Sequence, residues 1–242
     1  VRTTRREFLA LPLVSFPFFW RKPTRVSLAG AEFRIVRRGR SSRRYLHIHG
    51  NEHTARTVLE RHLETASGIG FLIRNDLRNV PIGGGQLDPN RMFSRVGAEA
   101  NLHRLNPHWK EAELRRALDE LDRGRDRLLK AILPPRGGLL VVLHNNSSGY
   151  SVKDELEISD QTSLRQPDDP HAFFLCTNPD DYRILSTSPY NVVLQQHGPK
   201  DDDGSLSRLA AKRGIRYANL EVALGKAEQQ REMLEWLERN LR

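Results

Sequence analysis

GGLLVVLHNN, residues 137–146, carries an unbroken apolar run from Leu139 to Leu143. A strand with one wet face alternates apolar and polar residues. A continuous run marks a strand buried on both faces, as in a sheet covered by helices on each side. The segment before it supports that reading. Leu114, Leu118, Leu121, Leu128 and Ile132 fall on one helical face, Asn106 and Pro107 suit an N-cap and first helical position, and Pro134-Pro135 stop the helix.

The same alternation extends outward. EFRIVRRG (32–39), RYLHIHG (44–50), GFLIRN (70–75), HAFFLCTN (171–178) and IRYANLEVAL (215–224) read as strands. Ala55, Val58, Leu59, Leu63 and Ala66 mark a helix, with Gly68 as its C-terminal glycine. Ser205–Lys212 forms a short helix, and residues 226–241 close the chain as another around Leu234, Leu237 and Leu241. The expectation is an α/β fold: a single domain over 32–242 with a mixed, mainly parallel sheet flanked by helices.

At 242 residues, 38% hydrophobic and 29% charged, the chain is long enough for one sizeable core. Its one cysteine, Cys176, rules out an internal disulfide and any multi-cysteine metal site. The net charge of +9 raises the question of nucleic acid. More than half of it lies in residues 1–31, where Arg2, Arg5, Arg6, Arg21, Lys22 and Arg25 face only Glu7. The one dense basic cluster beyond, RRGRSSRR (37–44), reads as a solvated hairpin between two strands, so no nucleic-acid partner is expected.

TTRREFLALPLVSFPFFW (3–20) places Arg5 and Arg6 before an apolar run broken by Pro12 and Pro17, too short to span a bilayer. It resembles a twin-arginine export signal, with cleavage expected near Ala29-Gly30-Ala31. That resemblance implies the export machinery as a partner, no stable membrane anchor, and a periplasmic or extracellular location.

Ligands of open α/β sheets gather where strands end and helices begin. Four stretches fall at such ends: HGNE (49–52), DPNR (88–91), LHNN (143–146) and NLEV (219–222). His49 and Glu52, three apart across a strand-to-helix turn, can converge on one ion, and His144 can reach it from a neighbouring strand. His47 is expected to face away from His49, and His53 to be solvated or to stand behind the ligands. Glu221 interrupts an apolar strand, where a carboxylate is costly without a partner.

The ordered set resembles the zinc metallocarboxypeptidase superfamily, which includes the succinylglutamate desuccinylase and aspartoacylase branch. The resemblance covers most of residues 32–224. It implies one Zn²⁺ per chain held by His49, Glu52 and His144, with Glu221 as the catalytic glutamate. It implies that Asn90 and Arg91 hold a substrate carboxylate, a task for which a guanidinium fork is suited. It implies an arginine at the oxyanion, Arg78 in preference to Arg74, and an assisting tyrosine, Tyr190 in preference to Tyr182, Tyr150 or Tyr217. The expected activity is hydrolysis of a small peptide beside its free carboxylate, or alternatively of an N-acyl amino acid.

Overall fold

The computed structural model describes residues 24–146, 149–197 and 201–242. The strands are β1 (Arg25–Leu28), β2 (Ala31–Arg38), β3 (Arg44–His47), β4 (Gly68–Ile73), β5 (Val80–Ile82), β6 (Gly85–Leu87), β7 (Leu139–Asn146), β8 (Gln161–Ser163), β9 (Phe173–Cys176), β10 (Asn191–Leu194) and β11 (Arg216–Ala223). The helices are α1 (His53–Leu63), α2 (Arg95–Leu105), α3 (Glu111–Ile132), α4 (Val152–Glu155), α5 (Pro179–Leu185), α6 (Leu206–Arg213) and α7 (Ala227–Asn240).

Nine strands form one mixed sheet in the order β1-β2-β4-β3-β7-β11-β9-β10-β8, while β5 and β6 pair separately. The centre, β4-β3-β7-β11, is parallel throughout, and antiparallel pairs flank it on each side. All eight residues of β7 are buried, as the unbroken apolar run predicts. Its side chains alternate between two cores. Leu140 and Val142 join α2, α3 and α6 on one face; Leu139, Val141 and Leu143 join α1, α5 and α7 on the other. β11 divides in the same way, with Tyr217 in the first core and Ala218, Leu220 and Val222 in the second. Alternation therefore carries His144 and Asn146 of β7, and Asn219 and Glu221 of β11, to the α2/α3/α6 face.

Several local readings are corrected. Asn106 ends α2, a helix with no conspicuous apolar stripe, instead of starting α3, whose N-cap is Lys110. The Asn106 amide is held elsewhere: its Oδ1 accepts from the Gln86 amide at 2.8 Å and its Nδ2 donates to the Leu102 carbonyl at 2.9 Å. Gly68 opens β4, five residues beyond the end of α1, with φ +154° where Tyr45 packs close. The 37–44 segment is not a hairpin, because β4 lies between β2 and β3. Residues 25–31, expected to precede the fold, form β1 and its turn into β2, with Leu28 and Ala31 buried. Arg5, Arg6 and the apolar run to Trp20 lie outside the described residues.

Candidate metal centre and cleft

β3 ends at His47, and the chain then turns sharply through Ile48-His49-Gly50-Asn51 into α1. Gly50 is required there: a Cβ would lie 2.3 Å from the Asn75 carbonyl oxygen. The turn brings Glu52 back toward His49, whose Nδ1 lies 2.8 Å from Glu52 Oε1. His144, near the end of β7, places its Nδ1 3.0 Å from Glu52 Oε2 and 3.2 Å from His49 Nδ1. All three residues are at most 5% exposed.

These donors suit a cation. Four ligands at about 2.0–2.1 Å on a tetrahedral ion stand about 3.3 Å apart, close to the 3.2 Å between the two Nδ1 atoms. Two imidazole nitrogens that close, both turned to one carboxylate, form a donor set with a shared centre. His49, Glu52 and His144 thus make a site able to hold a metal ion, as the sequence motifs imply.

The surroundings orient this set. Asp88 Oδ1 lies 2.8 Å from His49 Nε2, which leaves Nδ1 to face Glu52; such a carboxylate fixes ring orientation and raises ligand basicity. Asp88 also caps the tight turn Pro89–Arg91, accepting from the Asn90 amide. The Asn145 amide donates to Glu52 Oε2, and the Asn145 Oδ1 accepts from the Ala55 amide in the first turn of α1. Gln230 of α7 donates to the His144 carbonyl and accepts from Asn145 Nδ2. His47 stands behind the set, fully buried, with Nε2 3.0 Å from the Glu52 carbonyl oxygen. Burial depresses its pKa to about 4, so it is neutral near pH 7. Strand alternation does not govern His49, since β3 has already ended. His53 is exposed at the start of α1.

Electrostatics follow from this packing. Burial would raise the Glu52 carboxyl, but His144 and His49 hold it well below its ordinary range. Burial would lower the His49 imidazolium, but Glu52 and Asp88 lift it to about 9. Burial would likewise raise Asp88, which His49 and Arg78 instead hold strongly down.

A cleft of about 450 Å³ opens beside the donors, within the size range of small-molecule sites. His49, Glu52, His144, Arg78, Asn90, Arg91 and Glu221 all line it. Parallel pairing of β11 with β7 sets Glu221 opposite His144. Glu221 is 6% exposed, and burial pushes its carboxyl up to about 7 despite the nearby His144 and a hydrogen bond from Asn219. Arg78 bridges Glu52 at 3.2 Å and Asp88 at 3.3 Å with a half-exposed side chain. Arg74 instead pairs with Glu32 and does not line the cleft. The Asn90 Oδ1 accepts from the Leu206 amide at the start of α6. Arg91 rests on the Asn90 carbonyl and faces Asp203 at 3.6 Å. Gly204 (φ +77°) permits the loop before α6 to close on this turn.

Tyr190 is not in the cleft. It packs edge-on against Phe174 in the opposite core, and Tyr150 and Tyr217 line the cleft in its place. Burial, with Glu221 and Glu155, pushes both of these phenols well up. Sequence reasoning also passed over Asp88, although it stands two residues before Asn90 in the quoted DPNR. It had no signal for Arg208, Gln195 or Glu155. Arg208 donates to Gln195 Oε1 at 2.8 Å, and Gln195 Nε2 donates in turn to Glu155.

No protein-family model matches the chain, and no curated protein matches it significantly. It is similar to a solved succinylglutamate desuccinylase/aspartoacylase from Rhodobacter sphaeroides (14% identity, TM-score 0.45), with 88% of this chain covering 62% of that one. It is also similar to the ectoine utilization protein EutE (DoeB) from Ruegeria pomeroyi (13%, TM-score 0.45; 85% of this chain, 59% of that one). A third is the N-formylglutamate amidohydrolase from Ralstonia eutropha JMP134 (13%, TM-score 0.36; 86% and 96%). The chain thus spans about three fifths of the length of the first two.

Proposed function

We propose that the chain is a metal-dependent hydrolase that cuts an amide or peptide bond beside a free carboxylate. The carrying observation is the buried convergence of His49 Nδ1, His144 Nδ1 and Glu52 within about one ion's reach, with Glu221 opposite on β11. His49, Glu52 and His144 would hold one Zn²⁺ per chain. Such an ion would supply Lewis-acid polarisation and lower the pKa of a bound water toward neutrality.

The chain's own groups supply the rest. Glu221, with a carboxyl raised toward neutrality, takes a proton from the attacking water and returns it to the departing amine. Arg78 offers a half-exposed guanidinium to the negative charge that builds on the carbonyl oxygen. Asn90 and Arg91 hold the substrate's carboxylate and so set which bond reaches Glu221. Carboxypeptidase-like cleavage is the leading reading, and hydrolysis of an N-acyl amino acid is the alternative. Peptides with free and amidated C-termini, run beside N-acyl amino acids, separate the two.

Metal content of wild type and His144→Ala, measured side by side, tests the centre. About one zinc per chain, lost in the variant, is expected. No metal in either after reconstitution refutes the reading. Export directed by the segment before β1 is a further part of the proposal, supported by Arg5-Arg6 and the apolar run to Trp20 alone. Among the described residues no helix is long and apolar enough to cross a membrane. Fusion of residues 1–24 to a folded reporter checks the proposed export, and a reporter retained in the cytoplasm refutes it.

A further inference from the structure

The cations of RRGRSSRR (37–44) line no part of the cleft, and the sheet topology shows where they gather. The four parallel central strands start at one end of the sheet, and the metal set lies at the other. β3 starts at Arg44, paired with Leu140 of β7 and Ile69 of β4. β2 runs antiparallel to β4 and so finishes at this same end, with Arg37 opposite Ile69 and Arg38 opposite Gly68. Arg40 follows in the loop to β3. The helices α3 and α6 lead into β7 and β11, and they bring Lys130, Arg136, Lys212 and Arg213 to this end as well. Arg44, Lys130 and Arg213 line one hollow there. From Leu139 to His144 is about 17 Å along β7, so the face stands well away from the metal set.

The carboxylates at this end are mostly taken. Glu238 pairs with Arg43, Asp181 with Arg216 and Asp180 with Arg183. Asp126 sits within the hollow, and Glu64 ends α1. Residues 32–242 hold less than half of the chain's net charge of +9, and that excess is collected here. Burial, with the charge of Arg37, holds the Arg44 guanidinium below its ordinary range, a sign of like charges brought together. Along α6 the patch stops, where Asp201 and Asp202 share a pocket with Lys212 and Arg213. Like charges collected on one face repel one another, and an anionic partner relieves that repulsion.

The rest of the face selects the class of anion. Leu133, Pro134 and Pro135 stand in the hollow between Lys130 and Arg136, with Pro135 exposed. An apolar turn edged by cations suits the boundary between headgroups and acyl chains. Strand β1 enters the fold from the Arg38 end of β2, since the Thr24 carbonyl accepts from the Ile35 amide and Arg25 lies opposite Arg34. The apolar run to Trp20, followed by Arg21 and Lys22, stands just ahead of it in the sequence. Single-stranded nucleic acid asks for aromatic rings among the cations. Among the described residues no Phe, Tyr or Trp is exposed.

We propose that the end of the sheet opposite the metal centre, carrying Arg38, Arg40, Arg44, Lys130, Arg136 and Arg213, is a docking face for the anionic surface of a phospholipid bilayer. Docking there is reversible and electrostatic, and it leaves the cleft directed away from the lipid.

The test is sedimentation of the full chain with two kinds of vesicle: phosphatidylcholine alone, and phosphatidylcholine with phosphatidylglycerol in equal parts. At low salt the anionic vesicles should bind about tenfold or more tighter, and high salt should erase the difference. Arg40→Glu/Lys130→Glu/Arg213→Glu reverses three exposed charges of the face and should weaken anionic binding by about tenfold or more. Arg104→Glu/Arg115→Glu/Arg116→Glu makes the same change of net charge at exposed positions near the other end of α3, and should stay within about twofold of wild type. The cations before β1 are the same in both variants, so their difference reads the face alone. Equal binding of wild type to both vesicles would overturn the docking face, and so would equal losses in the two variants. Binding to a DNA duplex tighter than to anionic vesicles at the same salt, and lost in the face variant, would overturn the bilayer as the partner and put nucleic acid in its place. Arg40→Gln/Lys130→Gln/Arg213→Gln repeats the measurement if charge reversal prevents folding.

Discussion

Replacing Glu221 by Gln should destroy turnover and, in zinc-free protein, stabilise the fold. The carboxyl is buried on β11, and its pKa rises from the ordinary 4.5 to about 7. At 1.36 kcal/mol per pH unit this corresponds to about 3 kcal/mol. The sign follows from proton linkage. A raised carboxyl pKa means that the folded state binds the proton more tightly than the unfolded chain. The associated stability is fully present below pH 4.5 and is lost as pH rises through about 7. Glutamine does not ionise, so the variant escapes that loss. Its Oε1 can still accept from Asn219 Nδ2. Chelator-treated wild type and variant should therefore have a stability difference near its minimum at pH 4. The difference should grow by about 3 kcal/mol by pH 8, or about 6–12 °C in Tm for a chain this long. Turnover by the zinc-loaded variant should fall about 10²–10⁴-fold, the usual worth of a general base, with zinc retained. Urea unfolding across pH, with initial rates on a confirmed substrate, measures both. A stability difference flat with pH would refute the burial argument, and near-normal turnover would refute the role of the base.

Three further outcomes follow from the geometry. Asp88→Ala removes the carboxylate from His49 Nε2 and should weaken zinc affinity about 10–100-fold in a chelator competition, with Asp88→Asn losing less because it keeps an acceptor; an unchanged affinity would show that His49 needs no such support. Arg91→Ala should raise KM for substrates with a free carboxylate by about tenfold or more, as expected for losing a charge-assisted hydrogen bond, and should leave zinc content unchanged; equal KM before and after the change would remove Arg91 from substrate binding. Tyr190→Phe should leave kcat/KM within about twofold, since the ring packs on Phe174 away from the cleft; a large loss would restore the tyrosine to the site.

Much of the candidate centre was legible because its signals are local. The unbroken Leu139–Leu143 run specifies a doubly covered strand, and His144 is carried at its end by the same chain. HGNE is a turn in which His49 and Glu52 are neighbours in sequence as well as in space. Residues 25–31 were misread and α2 was missed for the converse reason. An edge strand beside an apolar run, and a helix without a clear stripe, gain their identity from what they pack against. What the sequence by itself determined is the α/β layering and which residue types could serve a metal, since periodicity and short-range turns are written along the chain. What only the tertiary structure decided is partnership across distance. The β11–β7 register sets Glu221 opposite His144 and exposes Asn146 and Asn219 to one cleft. The turn at Pro89 brings Asp88 to His49, 39 residues away. The two cores put Tyr190 on one side of the sheet and Tyr217 on the other. Hydrogen bonds and burial act between surfaces that meet only after folding, so no spacing along the chain encodes them directly.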